Sequence, residues 1–315
     1  MDSWQIVPWE GRETASVLRV WERAFGVREH GFRTPEEGAF RKRVLEHPRF
    51  DPDGALIARV GEAVAGFVLA VSPEGGSTGY LSALMVDPAH QGRGIGGALL
   101  ERAEAFLKGC GKEEVRVTYR GNPISFAPGA DVRTPAYYFL LNRGFRNDGS
   151  LSLVMRLNFA DFVWRDEVSG FIEESRGRGV LFGLCRPEHR EALRRFMEEV
   201  FPGGWTASVA GCLEGDPPYP ALVATDGPRV VGFAGPIRVQ EDGHGGFTGI
   251  GTHPDFRRHK IGTILFHLLC AEFKRRGATY CVLHTGLHNP AQEIYFGAGF
   301  RVMYLVDYCL VKRLK

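Results

Sequence analysis

The sequence predicts a mixed α/β protein built from two tandem copies of one unit, with both antiparallel and parallel strand pairing in each. Three observations carry this. Ala55-Leu56-Ile57-Ala58 returns as Ala221-Leu222-Val223-Ala224, 166 residues later, and the same gap-free offset joins Gly66-Phe67 to Gly232-Phe233, Pro88 to Pro254 and Ile95-Gly96 to Ile261-Gly262. Hydrophobic periodicity runs through one strand and helix order twice. A chain of 315 residues suits two domains of about 150 residues each. Two copies make a duplicated domain, since a solenoid needs at least about three repeats.

In each copy an opening strand (Trp4–Pro8; Val180–Leu184) leads into an amphipathic helix (Glu13–Phe25; Glu188–Val200) and a shorter helical stretch. A hairpin follows (Ala55–Val60 with Val64–Val71; Ala221–Thr225 with Val230–Val239), then a fourth strand (Tyr80–Val86; Phe247–Thr252). A loop and a long helix come next (Ile95–Lys108; Ile261–Arg275), then a fifth strand (Val115–Tyr119; Thr279–His284), a short helix and closing strands. Near the end Gly144-Phe145 matches Gly299-Phe300 at an offset of 155 in place of 166, so the first copy carries 11 extra residues. The Gly- and Pro-rich loop Gly121 to Asp131 is the place for them. The expected division is 1–158 for the first domain, 159–178 for a linker helix ended by Gly177 and Gly179, and 179–315 for the second domain.

Apolar residues make up 44% and charged residues 24%, the ordinary mix for a globular protein. No apolar run reaches the ~18 residues that span a bilayer. Met1 to Glu10 lacks a basic stretch followed by an apolar core, so no membrane partner and a cytoplasmic location are expected. The net charge of +2 comes without a long basic face, so no nucleic acid partner is expected. The six cysteines form no C-x-x-C pair and no zinc-finger spacing, which fits a reducing compartment. His284 and His288 share the i, i+4 spacing of metal ligands, but no third ligand accompanies them, and no metal is expected.

The strongest local motif is Gln91-Gly92-Arg93-Gly94-Ile95-Gly96-Gly97, which follows a strand and opens a helix. A helix N-terminus offers unpaired backbone N–H groups and a partial positive charge, and glycines let the backbone approach a ligand, so the loop suits a diphosphate. Two other readings exist. A glycine-rich turn can simply join strand to helix. Gly92, Gly94 and Gly97 also satisfy G-x-G-x-x-G, the dinucleotide fingerprint. The repeat argues against the fingerprint: Arg258, Lys260 and Thr263 replace those three glycines, while Gly96 returns as Gly262. The next strand also ends on Tyr119-Arg120, without the acid that would hold a ribose.

Q/R-x-x-G-x-G/A after an apolar strand resembles the acetyl-CoA signature of the GNAT superfamily of N-acetyltransferases. Gln91, Gly94 and Gly96 match it fully; Arg257 and Gly262 match it, with Lys260 in place of the first glycine. The resemblance covers almost the whole chain. It implies two tandem GNAT acyl-CoA N-acyltransferase domains, an arrangement similar to that of mycothiol synthase, although nothing here reads out that enzyme's cyclitol-sugar substrate. It implies acetyl-CoA as donor and an amine of a small molecule or peptide as acceptor, in a monomer or homodimer. It places the cofactor on Met85, Val86, Gln91, Gly92, Arg93, Gly94, Ile95, Gly96 and Gly97 of the first copy, and on Thr252, Arg257, Arg258, His259, Lys260, Ile261, Gly262 and Asn289 of the second. One or both copies could instead bind acyl-CoA without catalysing, as a sensor or structural partner.

The second copy holds Asn289, Tyr295 and Gly299-Phe300 in the spacing of the family's N-x-x-x-x-x-Y-x-x-x-G-F segment. The resemblance implies that Tyr295 protonates the leaving thiolate. A thiol pKa of about 8.5 and a tyrosine pKa of about 10 make that transfer feasible. The bland alternative is a core tyrosine beside Phe296 and Phe300. The first copy has Leu140 at this position and Thr134 in place of Asn289, with Tyr137 three residues earlier. His284, which closes the fifth strand, is taken as a catalytic residue; His253, Glu241 and Asp242 are further candidates for a general base, and each of the four also reads as a surface or capping residue. The 11-residue insertion is expected to border the acceptor side of the first copy or the contact between copies, with Phe126, Pro128 and Asp131 partly buried.

Overall fold

The computed structural model describes residues 3–25, 34–126, 129–214 and 220–314. The first copy runs β1 (Trp4–Pro8), α1 (Thr14–Phe25), α2 (Glu37–Arg43), β2 (Ala55–Val60), β3 (Ala63–Val71), β4 (Thr78–Val86), α3 (Ile95–Gly109), β5 (Glu114–Val117), β6 (Ala130–Asp131), α4 (Pro135–Leu141), β7 (Arg146–Asn147) and β8 (Leu151–Asn158). After α5 (Asp166–Gly177), the second runs β9 (Val180–Leu184), α6 (Arg190–Val200), α7 (Gly204–Leu213), β10 (Leu222–Asp226), β11 (Arg229–Gly235), β12 (Arg238–Val239), β13 (His244–Gly246) and β14 (Gly249–Thr252). It continues with α8 (Ile261–Arg275), β15 (Tyr280–Gly286), α9 (Gln292–Gly297), β16 (Arg301–Asp307) and β17 (Leu310–Arg313).

Two compact units result, Met1–Ser152 with Tyr304–Lys315, and Leu153–Met303. The boundaries differ from 158 and 178. Most of β8 belongs to the second unit, and α5 packs on β9 and α8 inside that unit instead of linking two domains. The last strand of the chain, β17, belongs to the first unit, where it pairs antiparallel with β5 and β7. A strand is chosen by how its side chains fit the face and edge it meets, so chain order does not fix its sheet. Buried Leu310 settles against Leu107, Val115 and Phe145 in the first unit.

The sheet of the first unit has the order β1-β2-β3-β4-β5-β17-β7. Helices α1 and α2 cover one face with Val17, Trp21 and Phe40 against Trp9, Phe67 and Met85. Helix α3 covers the other with Ile95, Leu99 and Leu107. The residues of β3 from Ala65 to Val71 are buried, as expected for a strand covered on both faces. β4 and β5 run parallel, but their register covers only Thr78–Tyr80 against Glu114–Arg116. β4 continues to Val86 alone on that side, so the two strands open into a V. The β3–β4 ladder steps from Leu69↔Ala83 to Ala70↔Leu81, which leaves Ser82 as a bulge at the opening.

In the second unit one sheet has the order β14-β11-β10-β9. The expected fourth strand, Phe247–Thr252, is interrupted. β13 pairs parallel with β15 through His244↔Tyr280 and Gly245↔Cys281, while β14 pairs antiparallel with β11. Phe247 turns into the core against Phe266 and Phe273, and Thr248 bonds Ser208 of α7 at 3.1 Å. β14 and the end of β15 therefore lack each other as partners, and the second unit also opens beyond a short parallel pairing. The expected strand Val230–Val239 also breaks after Gly235, because Pro236 has no N–H for the ladder.

Candidate active site

At the open end of β4, Asp87 starts a tight turn by accepting from the Ala89 N–H at 3.0 Å, and Arg23 of α1 pairs with its other oxygen at 3.0 Å. Burial alone would raise the Asp87 pKa; the Ala89 N–H and Arg23 outweigh it and hold the carboxyl below its ordinary value. The loop then passes Gln91, whose amide donates to the Val86 carbonyl at 3.0 Å, and Arg93, whose carbonyl accepts from the Trp4 indole at 3.2 Å. Gly92 and Gly94 take left-handed φ of 73° and 85°, and no side chain caps the first turn of α3. That turn keeps donors and a partial positive charge available to an anion. Sequence reasoning missed Arg143, which stacks over Phe139 at 4.1 Å and lies against the Cα side of Gly97. Gly97 has its physical reason here, since a side chain would displace that cation from the helix start.

The second unit repeats the loop backbone without the glycines. Arg258 and Lys260 adopt φ of 68° and 60°, the only left-handed non-glycine residues among those described, and α8 likewise has no side-chain cap. Lys260 does not crowd the loop, as a side chain replacing a glycine beside a diphosphate would. Its ammonium folds over Phe171 of α5 at 5.4 Å from the ring centre. His259 meets Arg178 at 3.2 Å, and Arg257 and Arg258 are exposed. Thr252 ends β14, and Ile261 and Gly262 open α8 with Gly262 close to Ile294.

Tyr295 on α9 is buried to 7% exposure, its ring packed on Phe266 at 4.9 Å and Phe300 at 6.4 Å. No hydrogen-bond partner holds its hydroxyl among the described residues, and burial raises its pKa. Asn289 takes a bland task as well: its carboxamide oxygen accepts from the Ala291 N–H at 3.0 Å at the approach to α9. His284 lies on the open stretch of β15. Solvent reaches it, but surrounding protein strips enough water from the imidazole to lower its pKa. His253 is spent as a cap, accepting from the Asp255 N–H at 3.3 Å and facing Glu199 at 3.4 Å. In the first unit Leu140 is buried in the core. Tyr137 donates to fully buried Asp307 at 3.2 Å, and burial, then Asp307, raises its pKa. Phe126 and Asp131 are partly buried; Pro128 lies outside the described residues.

A mixed sheet opened between parallel strands, with an uncapped helix start beside the opening in each unit, defines an acyltransferase architecture. Residues 17–126 and 187–300 match the model of the acetyltransferase (GNAT) family. The chain belongs to that family and is an N-acetyltransferase with two GNAT domains. It is 35% identical over 109 residues to Acetyltransferase SG1711 of Sodalis glossinidius, covering 34% of this chain and 68% of that protein. Among solved structures it is similar to the GCN5-related glucosamine N-acetyltransferase region of a fungal multi-domain beta-N-acetylglucosaminidase, with TM-score 0.70 and 19% identity; the match covers 99% of this chain and only 38% of the fungal one. It is similar to a GCN5-related N-acetyltransferase from Sphaerobacter thermophilus, with TM-score 0.66 and 14% identity over 100% of this chain and 97% of that one. It is also similar to a tandem GNAT protein from the clavulanic acid biosynthesis pathway, with TM-score 0.62 and 16% identity over 99% of both. At these identities the likeness to the solved structures is one of fold.

Proposed function

We propose that the protein transfers the acetyl group of acetyl-CoA directly to the primary amine of a small molecule or peptide, and that the second unit performs the transfer. The observation that carries this is the pair of loops. Two unrelated residue sets, Gly92 with Gly94 and Arg258 with Lys260, adopt one left-handed backbone in front of an uncapped helix. Non-glycine residues in that conformation cost energy, and such cost persists where a ligand site requires the shape. The diphosphate of acetyl-CoA would lie on the N–H groups of each loop, with Arg257 and Arg258 adding charge in the second.

The chemistry follows from the groups of the second unit. His284, neutral below its ordinary range, takes the proton of the attacking amine. The amine nitrogen bonds to the thioester carbonyl, the C–S bond breaks, and the Tyr295 hydroxyl protonates the departing thiolate. Holding donor and acceptor together supplies most of the acceleration. Within this reading, Asn289 orders the entry to α9 and so sets Tyr295. The test is thiol release from acetyl-CoA with a panel of polyamines, aminoglycosides, amino acid derivatives and peptides. Amine-dependent release is expected. Binding of acetyl-CoA without release on any amine would replace this reading with that of an acyl-CoA sensor.

A further inference from the structure

The 11-residue insertion does more than border the first unit's cleft. Asn122, 8% exposed, reaches across the V: its amide donates to the Thr118 carbonyl beyond β5 at 3.2 Å and to the Ser82 hydroxyl on the β4 bulge at 3.1 Å. Its oxygen accepts from Ser82 at 3.2 Å and from the Ile124 N–H at 3.1 Å. Both arms of the V are thereby clasped by one side chain. Ile124 is completely buried in the core made with α1 and α2. Phe126 follows it, stacked on Phe40 at 5.5 Å and edge-on to Trp21 at 4.9 Å, with Arg43 over its outer face and bonded to the Ser125 carbonyl. The α1–α2 side of the opening is filled by the chain itself.

The opposite side is different. Leu84 and Val86 of β4 are only half-buried on the α3 face, near Phe139 of α4, and form an apolar path that starts at the glycine loop. The internal repeat gives the control. At the 166-residue offset Ser82 corresponds to Thr248 and Thr118 to His284. Thr248 bonds sideways to Ser208 of α7, His284 is exposed, and the clasping segment has no counterpart.

The geometry points to residues 121–126 as a built-in plug: the first unit takes acyl-CoA along its α3 face while the plug shuts the side from which an amine would reach the thioester. This rests on the acetyl-CoA reading above and assigns the first unit as a holding site for acyl-CoA. Bound acyl-CoA there is shielded both from acceptors and from water.

The test uses the full chain with the second loop obstructed by Gly262→Trp, a substitution that meets Ile294 and occupies the start of α8. Equilibrium dialysis with labelled acetyl-CoA is expected to fall from two equivalents per chain to one, with amine-dependent thiol release lost. Hydroxylamine then probes the remaining thioester: its nitrogen bonds to the acetyl carbon, the C–S bond breaks, and acetohydroxamate and CoA thiol form. Adding Asn122→Ala with Phe126→Ala is expected to speed this cleavage by about tenfold by opening the site to small nucleophiles. Asn122→Ala alone, which leaves Phe126 in the core, gives a smaller increase in the same direction if the double variant does not fold. Acetyl transfer to amines by the Gly262→Trp chain with its plug intact, no retained acetyl-CoA, or cleavage indifferent to the plug would each overturn the proposal. Failure of wild type to acetylate any amine would instead count against the function proposed above and leave the plug standing.

Discussion

Replacing Arg258 with glycine is expected to stabilise the second unit and weaken its hold on acetyl-CoA at the same time. Arg258 sits at φ 68°, a region that costs a non-glycine residue about 1–2 kcal/mol. Glycine removes that cost but gives back about 0.5–1 kcal/mol through the greater freedom of the unfolded chain. A net gain of about 0.5–1 kcal/mol remains, which raises Tm by about 2–4 °C per kcal/mol in a domain of this size. Lys260→Gly gains the same relief at φ 60° but loses the contact of its ammonium with Phe171, worth about 0.5–1 kcal/mol at an exposed position. Its Tm should barely move. Calorimetric unfolding of both variants separates the two cases. Titration with acetyl-CoA should show Arg258→Gly weaker by about tenfold at low salt and by less at high salt, since the contact proposed for Arg258 is a screened charge on a phosphate. A lower Tm for Arg258→Gly, or affinity that ignores the change at every salt concentration, would refute the reasoning.

Other outcomes follow from single groups. The lowered pKa of His284 keeps its base form to lower pH, so the acid limb of kcat/KM should lie below the ordinary imidazole value of 6.5 and vanish in His284→Gln, which a pH–rate series reads directly. The depressed Asp87 carboxyl contributes stability that is present above its ordinary value of 3.8 and lost as pH falls through its lower folded value. Asp87→Ala should cost about 1–2 kcal/mol at neutral pH in urea unfolding, through loss of the turn cap and the Arg23 pair. Gly251→Val should cost about 1–3 kcal/mol by the same measurement, because the ring of Phe201 occupies the space its side chain would need.

Much of this was legible in the sequence, and the reasons differ by element. The duplication was visible because core positions such as Gly66-Phe67 and Gly232-Phe233 return at a fixed spacing. The loop was visible because left-handed turns favour glycine, and the first copy kept its glycines. The second copy kept the shape with Arg258 and Lys260, which no local rule anticipates. The strand exchange at the chain's end was hidden, since Leu310–Arg313 pairs with β5 over a distance in sequence that periodicity does not measure. The break at Phe247–Thr248 was hidden for a related reason: the segment reads as a strand, but Phe247 has a better place against Phe266 and Phe273. The insertion was located from the offset. That Ile124 and Phe126 would sink into the α1–α2 core, and Asn122 clasp the V, depended on partners far away in the chain.

The central claim is that the second unit carries the transfer and that Tyr295 is its acid. Tyr295→Phe tests it with little structural disturbance, because the ring keeps its packing on Phe266 and Phe300 and the hydroxyl gives up no bond among the described residues. Steady-state turnover with a competent amine should fall by about a hundredfold. The dissociation constant for acetyl-CoA should stay nearly unchanged, since the role proposed for the hydroxyl concerns the leaving thiolate alone. Wild-type turnover in Tyr295→Phe, together with slow turnover in Tyr137→Phe, would contradict the account and move the chemistry to the first unit.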